Sequence, residues 1–503
     1  MGIPDMLRDY LKKEMVFLLS FAIILFFITF GYIRPDLLEM VSSAVHAAIL
    51  DYFSWLYLIS ASFFLLFSLY LALSEYGTIK LGRDTERPQY SFFGWVAMLF
   101  AAGMGIGLLF WGVSEPLVHF IQPPPFLDAS TPEAALFGMK YSFFHWGIHP
   151  WAIYTIVSLS IAYFSFRRGM PALISSCFYP LLGERIYGLS GDVIDILAVF
   201  ATIFGTATSL GFGAIQIHAG FTYLYGVSSA VSITIGIIVI ATALFMASAI
   251  MGVEKGVQTL SKINMSLAVA LLIFILILGD TSHILNIFTS TLGEYLNNIV
   301  DLSLQSYPFA GNGWSRDWTI FYWAWWISWS PFVGLFIARI SRGRTIREFV
   351  LTVLTVPTLF TFFWFSVFGG SALSLEQSAG VNLGEFVGED VSLVLFAFLE
   401  HYPFSAVLSL IAILLLIIFF VTSADSATVV LGSLTSGGNQ FIPTYKKVIW
   451  GLSLSGVAII LLISGGLSSL QMMAITAAFP FMFVMILLCY TLYVGLSQEK
   501  AEE

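Results

Sequence analysis

Four tryptophans fall within seven residues, at Trp323, Trp325, Trp326 and Trp329, and Trp146, Trp151 and Tyr154 form a second aromatic group earlier in the chain. Such rings do one kind of chemistry well: their negative faces attract cations, above all methylated ammonium groups that hold water weakly. On a helix of about 3.6 residues per turn, Trp325, Trp326 and Trp329 share one face, with Trp323 at its margin. Trp146, Trp151 and Tyr154 share one half of a second helix if that helix continues across Pro150. Tryptophan also belongs to membrane-interface belts. That reading fits poorly, because Trp314 and Trp318 already lie nearer the outer boundary while the cluster runs two turns further in. Two aromatic faces on different helices can close a box.

Within the spans that carry these rings no Asp or Glu is expected to face the box, so the expected guest brings its own anion. A zwitterion with a methylated onium group and a carboxylate answers that description. The run Gly103-Met104-Gly105-Ile106-Gly107 has glycine at alternate positions, which weakens the helix and exposes backbone amides that can receive the carboxylate. A plain cation such as choline would want an acid in or beside that run, and Gly107 is not one. A second interruption is expected at Ser330-Pro331-Phe332-Val333-Gly334, where proline removes a donor. Broken helices in corresponding halves point to the midplane site of a secondary transporter.

Other polar residues suggest an ion. Thr202 and Thr206 are one helical turn apart, Ser209 follows on the same face, and Thr422 and Ser423 close a later apolar run. Hard cations take such oxygens, although membrane Ser and Thr more commonly bond their own helix or a neighbour. His145 and His149 flank Trp146 as candidates for a proton relay or as satisfied structural donors. Glu115, before Pro116, reads as a helix-end or gating residue.

The elements that must position these groups are apolar. The 503 residues are 58% hydrophobic and 10% charged, against about 25% charged in soluble domains. That excludes a water-soluble globular protein. A bilayer core takes about 20 apolar residues per helix, and the candidate spans are 15–33, 52–74, 93–114, 141–166, 196–225, 228–253, 263–279, 318–338, 349–375, 402–424, 448–464 and 467–496. The fold class is therefore an all-α polytopic membrane protein of about twelve helices. With the N-terminus inside, all Lys and Arg except Arg34, Lys140 and Arg316 fall on inner segments, which places both termini in the cytoplasm. Short helices at the outer surface are expected over 283–304 and 390–401. A net charge of −9 with scattered basic residues argues against nucleic acid as a partner. Cys177 and Cys489 are too few and too far apart for a disulfide framework or a metal site.

Taken together these residues resemble the betaine/choline/carnitine transporters. The resemblance covers nearly the whole membrane domain. Its most specific parts are the tryptophan run with Ala338-Arg339-Ile340-Ser341-Arg342-Gly343-Arg344 after it, the glycine run, Phe144-His145-Trp146 with Pro150-Trp151, Phe204-Gly205-Thr206, and Thr422-Ser423-Ala424-Asp425-Ser426. It implies the five-plus-five inverted-repeat fold of sodium-coupled neurotransmitter-type transporters, with two peripheral helices first, and a homotrimer. The division would be a cytoplasmic N-terminus with the peripheral helices (1–92), a first repeat (93–279), an outer connector with a candidate surface helix (280–317), a second repeat (318–497) and a short tail (498–503). The resemblance places the substrate cage on Trp146, Trp151, Tyr154 and Trp326, with Trp325 and Trp329 along the pathway. It places one sodium ion near Thr202, Thr206 and Phe332. A second would use backbone oxygens at Ala101, Met104 and Phe419 with hydroxyls at Thr422 and Ser423.

The expected function is sodium-coupled uptake of glycine betaine or a similar methylated zwitterion across the plasma membrane, with no covalent chemistry and no cofactor beyond the coupling ion. The alternatives within transport are an onium precursor/product exchanger of the carnitine type and a proton-coupled choline transporter. A cation channel would need acidic or carbonyl rings, whereas an aromatic trap holds an ion too well. An enzyme would need a nucleophile–base or metal constellation on facing helices.

Overall fold

The computed structural model describes residues 14–103, 105–251, 254–311, 313–378, 381–439 and 441–502, and all regular structure among them is helical apart from one isolated bridge, Lys80 with Thr345. Helices are the solution that lipid demands, since each pairs its own backbone polar groups. In chain order they are α1 (Met15–Ile33), α2 (Pro35–Leu73), α3 (Phe92–Gly103), α4 (Ile106–Ile121), α5 (Pro132–Trp146), α6 (Ile148–Ala162), α7 (Leu189–Tyr225), α8 (Val231–Met251), α9 (Glu254–Leu278), α10 (Thr281–Leu304), α11 (Phe321–Ile340), α12 (Ile346–Glu376), α13 (Ser405–Leu434) and α14 (Thr444–Glu502). Among the described residues nine helices are long and apolar enough to cross a membrane, and the pair α3 and α4 passes as one bent span. Treating α5 with α6 as another span, and α14 as the two helices that meet at Gly465 and Gly466, gives the expected twelve crossings.

The breaks decide where the site can form. Between α3 and α4 the axis bends by 65°, and Gly105 is fully extended (φ −167°, ψ −177°). Met104, one of the residues expected in both the cage and the second sodium site, lies outside the described residues. Between α5 and α6 the helix stops at Trp146 and restarts at Ile148, so Pro150 sits in the first turn of α6, where its missing donor costs little. In α14 Gly466 has φ 63°, a left-handed conformation that suits glycine and turns the chain between its two halves.

The interruption expected at Ser330-Pro331 is not there. α11 runs unbroken from Phe321 to Ile340 with Pro331 inside it. Proline leaves the carbonyl of Ile327 without its usual donor, and the Ser330 hydroxyl donates to that oxygen at 2.7 Å. A neighbouring hydroxyl thus repairs the ladder.

α7 is the central pillar: from Ala198 to Gly220 every residue except Phe200 and Ile215 is buried. It crosses α11 where the Gly205 backbone lies against Ser328; a Cβ on Gly205 would sit 2.7 Å from the Ser328 hydroxyl. α10 is the expected surface helix, extending from Thr281 to Leu304, with Ile284, Thr291, Tyr295 and Leu302 as its buried stripe. The 390–401 helix is also present, as a short turn followed by Val394–Glu400. α2 begins at Pro35 rather than 52, because a first-turn proline and Asp36 start a good helix well before the apolar run. At the other end of the molecule the loop after α11 is tied down by Arg342 with Glu86 (2.8 Å) and Arg344 with Glu348 (2.6 Å). The Arg342 guanidinium holds Glu86 below the usual carboxylate range.

Candidate functional site

The two aromatic groups meet. Trp325 and Trp326 stack with centroids 4.7 Å apart and planes 14° from parallel, and Trp146 stands edge-on to Trp326 at 4.8 Å and 72°. Tyr154 approaches Trp326 at 6.3 Å and 77°, and Trp151 lies 5.5 Å from Tyr154. These five rings and Trp329 wall a cavity of about 590 Å³, mouth included, whose floor is Gly105, Ile106 and Gly107. Trp323, placed by spacing at the margin of the aromatic face, turns away and stacks on His149 at 5.4 Å. The cavity therefore takes in Gly105, Gly107, Trp146, Trp151, Tyr154, Trp325, Trp326 and Trp329 of the expected cage. It also takes in Ser423, expected at an ion site, and Ser209, Thr361 and Pro150, which the cage reading did not include.

Each ring is fixed by its polar edge. The Trp326 indole N–H donates to the His145 carbonyl at 3.0 Å, and that of Trp325 to the Ser209 hydroxyl at 3.3 Å. The Thr361 hydroxyl donates to the Trp146 carbonyl at 2.9 Å. The Trp146 indole N–H donates to Oε2 of Glu115 at 2.8 Å. Glu115 was expected to be a helix-end or gating residue, and no acid was expected against the box. It is in fact fully buried behind the box and accepts three hydrogen bonds: from Trp146, from the Tyr322 hydroxyl at 2.5 Å, and from Nδ1 of His145 at 2.7 Å. The carboxylate does not line the cavity; it braces the rings that do. The available sequence signal was the bare presence of an acid within an apolar span, which in a membrane is a functional hypothesis by default. His149 is bonded through Nε2 to the Ser303 hydroxyl at 2.9 Å, while its buried Nδ1 has no hydrogen-bond partner among the described residues.

The glycine run is shaped by the rings. A Cβ on Gly107 would lie 2.7 Å from Cη2 of Trp146 and 2.9 Å from Cη2 of Trp325, distances that real Cβ atoms do not tolerate. Gly105 has open space around it. Gly107→Ala is accordingly expected to push both indoles off their stacking positions and weaken solute binding at least tenfold, read by tryptophan-fluorescence titration; Gly105→Ala should cost far less. Because α4 starts at Ile106, its first N–H groups have no partner within the helix, that of Leu108 bonding the Gly105 carbonyl at 3.2 Å, and they point along its positive end. That end opens on the cavity, so the site offers ring faces for a cation and backbone donors for an anion.

The hydroxyls expected to hold sodium are less closely gathered. Thr202 and Thr206 are buried on α7; Thr202 donates to the Ala198 carbonyl at 2.7 Å and Thr206 to the Thr202 carbonyl. Donation uses the hydrogen and leaves oxygen lone pairs available to a cation. The α7–α11 crossing at Gly205 and Ser328 puts Thr202 and Phe332 each about one turn to the same side. Thr422 donates to the Ile418 carbonyl at 2.8 Å and lies 3.4 Å from that of Phe419, so two of the expected ligands of the second site are neighbours on α13. Ala101 is exposed near the end of α3. Thr202, Thr206, Phe332, Phe419, Thr422 and Ala101 all lie outside the cavity lining.

Comparison with known proteins gives one family. The model of the betaine/carnitine/choline family of transporters matches residues 15–501. The chain is 48% identical to the glycine betaine transporter OpuD of Bacillus subtilis over 97% of its own length and 95% of that protein's. It is 44% identical to a glycine betaine transporter of Acinetobacter baylyi, over 95% of this chain and 72% of that one. Glycine betaine transporter 1 of Vibrio parahaemolyticus is likewise 44% identical, over 90% and 87%. A match across this much of the chain, on a helical membrane fold whose breaks and rings build one aromatic cavity, means that the protein belongs to the betaine/carnitine/choline family of transporters.

Proposed function

We propose that the protein carries glycine betaine, or a solute with the same methylated onium and carboxylate, into the cell together with sodium. The observation that carries this reading is the pairing, in one cavity, of Trp146, Tyr154, Trp325 and Trp326 with the amide end of α4 at Gly105–Gly107. Onium and carboxylate would then be met at once, and a guest of no net charge leaves little charge to desolvate. The names of the relatives support the same solute. Sodium would be carried at the two hydroxyl sets, Thr202 with Thr206 and Phe332, and Thr422 with Ser423, Phe419, Ala101 and Met104. A sodium ion entering down an inside-negative potential gains about 2.3 kcal/mol per 100 mV, and that gain can drive a neutral solute uphill. Transport would proceed by alternating access in the plasma membrane, with both termini cytoplasmic, an inverted repeat over 93–279 and 318–497, and three copies assembled.

The test is uptake of labelled betaine into proteoliposomes with an imposed sodium gradient. Uptake should collapse when potassium replaces sodium; uptake that persists unchanged would remove sodium coupling from the proposal. Thr206→Ala should raise the sodium concentration for half-maximal uptake several-fold while leaving the betaine KM at saturating sodium nearly unchanged. Competition by dimethylsulfoniopropionate, carnitine and choline in the same assay ranks the solutes.

A further inference from the structure

Beyond the cage, at the far end of α4, three side chains converge that transport of a zwitterion does not call for. Glu115, His119 and His145 each bring one potential ligand atom within 4.8 Å of the other two, and the three residues are fully buried. Glu115 and His119 are one turn apart on α4, and His145 comes from the end of α5. Nδ1 of His145 is 2.7 Å from Oε1 of Glu115 and Nε2 of His119 is 3.5 Å from it. His119 is the informative member. Its Nδ1 has no partner among the described residues and its Nε2 has only the 3.5 Å approach to Oε1, although the ring is buried against Trp318 (4.4 Å) and Trp314 (5.0 Å). A buried imidazole with one nitrogen unpartnered and the other held only by a long contact is costly unless something uses it.

We propose that Glu115, His119 and His145 form a binding site for a first-row divalent transition metal, with Zn²⁺ as its representative, and that filling it inhibits transport. Two imidazoles and a carboxylate suit such ions and not the hard, oxygen-seeking sodium or calcium. A tetrahedral ion with ligands at about 2.0–2.2 Å holds them roughly 3.3 Å apart, and the 2.7 and 3.5 Å separations bracket that spacing. The outer partners are in place as well. Oε2 is held by Trp146 and Tyr322, leaving Oε1 for the ion, and Nε2 of His145 is 2.9 Å from the Thr319 hydroxyl. Without metal, Nδ1–H of His145 donates to Oε1; with metal on Nδ1 the ring proton sits on Nε2 and donates to Thr319, so the protein loses no proton. Inhibition rests on the transport reading proposed above: Glu115 also braces Trp146, so an ion that clamps Oε1 would hold that wall of the cage in one position through an alternating-access cycle that moves it.

The binding arm does not depend on which solute is carried. Purified protein titrated with Co²⁺ should show visible absorption bands of a four-coordinate site at one ion per chain, displaced by Zn²⁺. Zn²⁺ should inhibit betaine uptake by proteoliposomes, reversibly on adding a chelator. His119→Ala should weaken Co²⁺ and Zn²⁺ binding at least tenfold and relieve the inhibition, with metal-free uptake retained. His119→Gln, close in size, serves if the alanine variant does not fold. Absence of the Co²⁺ bands in the unaltered protein, or inhibition of the same strength in the His119 variant, overturns the proposal.

Discussion

Trp326→Leu raises the Kd for glycine betaine about 30-fold or more while the protein still folds and inserts; this is the expected result of isothermal titration on the purified variant. The indole of Trp326 is the ring shared by the whole cage, stacked on Trp325 at 4.7 Å and met edge-on by Trp146 at 4.8 Å and by Tyr154 at 6.3 Å. A desolvated cation–π contact is worth about 2 kcal/mol, or about 30-fold in Kd. Leucine also strands the His145 carbonyl that Trp326 satisfies at 3.0 Å, a further cost of about 1 kcal/mol. Trp326→Phe keeps a ring face and should fall between the two. Retention of normal affinity in the leucine variant would move the onium group out of this cage.

The second large effect separates the shape of Glu115 from its charge. Glu115→Ala leaves the indole N–H of Trp146, the hydroxyl of Tyr322 and the ring N–H of His145 without their acceptor in a buried setting. Each orphaned group costs about 1–3 kcal/mol, several kcal/mol in all, so uptake should vanish and the melting temperature should drop. Glu115→Gln behaves differently. Its carbonyl oxygen can serve Trp146 and Tyr322 while its amide donates to Nδ1 of His145, whose ring proton then sits on Nε2 and donates to Thr319, 2.9 Å away. The rings stay in place and only the negative charge behind them is gone. Unit charges about 10 Å apart at an effective dielectric near 20 attract by about 1.7 kcal/mol, an upper bound for a zwitterion whose own carboxylate the same charge repels, so the glutamine variant should bind betaine only a few-fold more weakly, with a normal melting temperature. Equal affinity in the glutamine variant would reduce Glu115 to a purely mechanical brace.

Much of the architecture is legible because a bilayer makes local composition decisive. The apolar run at 15–33 coincides with α1, and the paired glycines at 465 and 466 mark the turn inside α14. The cage residues are legible for a related reason: Trp325, Trp326 and Trp329 keep their helical phase on α11, and Trp146, Trp151 and Tyr154 still converge although the helix breaks at Gly147 between them. Pro331 shows the limit of reading one residue type at a time. A proline inside a span suggests a break, and only the Ser330 hydroxyl on the Ile327 carbonyl shows why the helix survives.

The amino-acid sequence alone determined that this chain lives in lipid, crosses it about twelve times as helices, and carries two groups of aromatic residues in helical phase. Those properties follow from hydropathy and helical period, both of them local. Tertiary structure alone decided that Trp323 turns from the cavity to His149, that Gly107 leaves room for two indoles, and that Glu115 is the buried acceptor joining Trp146, His145 and Tyr322. The partners of that carboxylate stand 30, 31 and 207 positions along the chain. No periodicity spans such separations; they are set by how the helices pack.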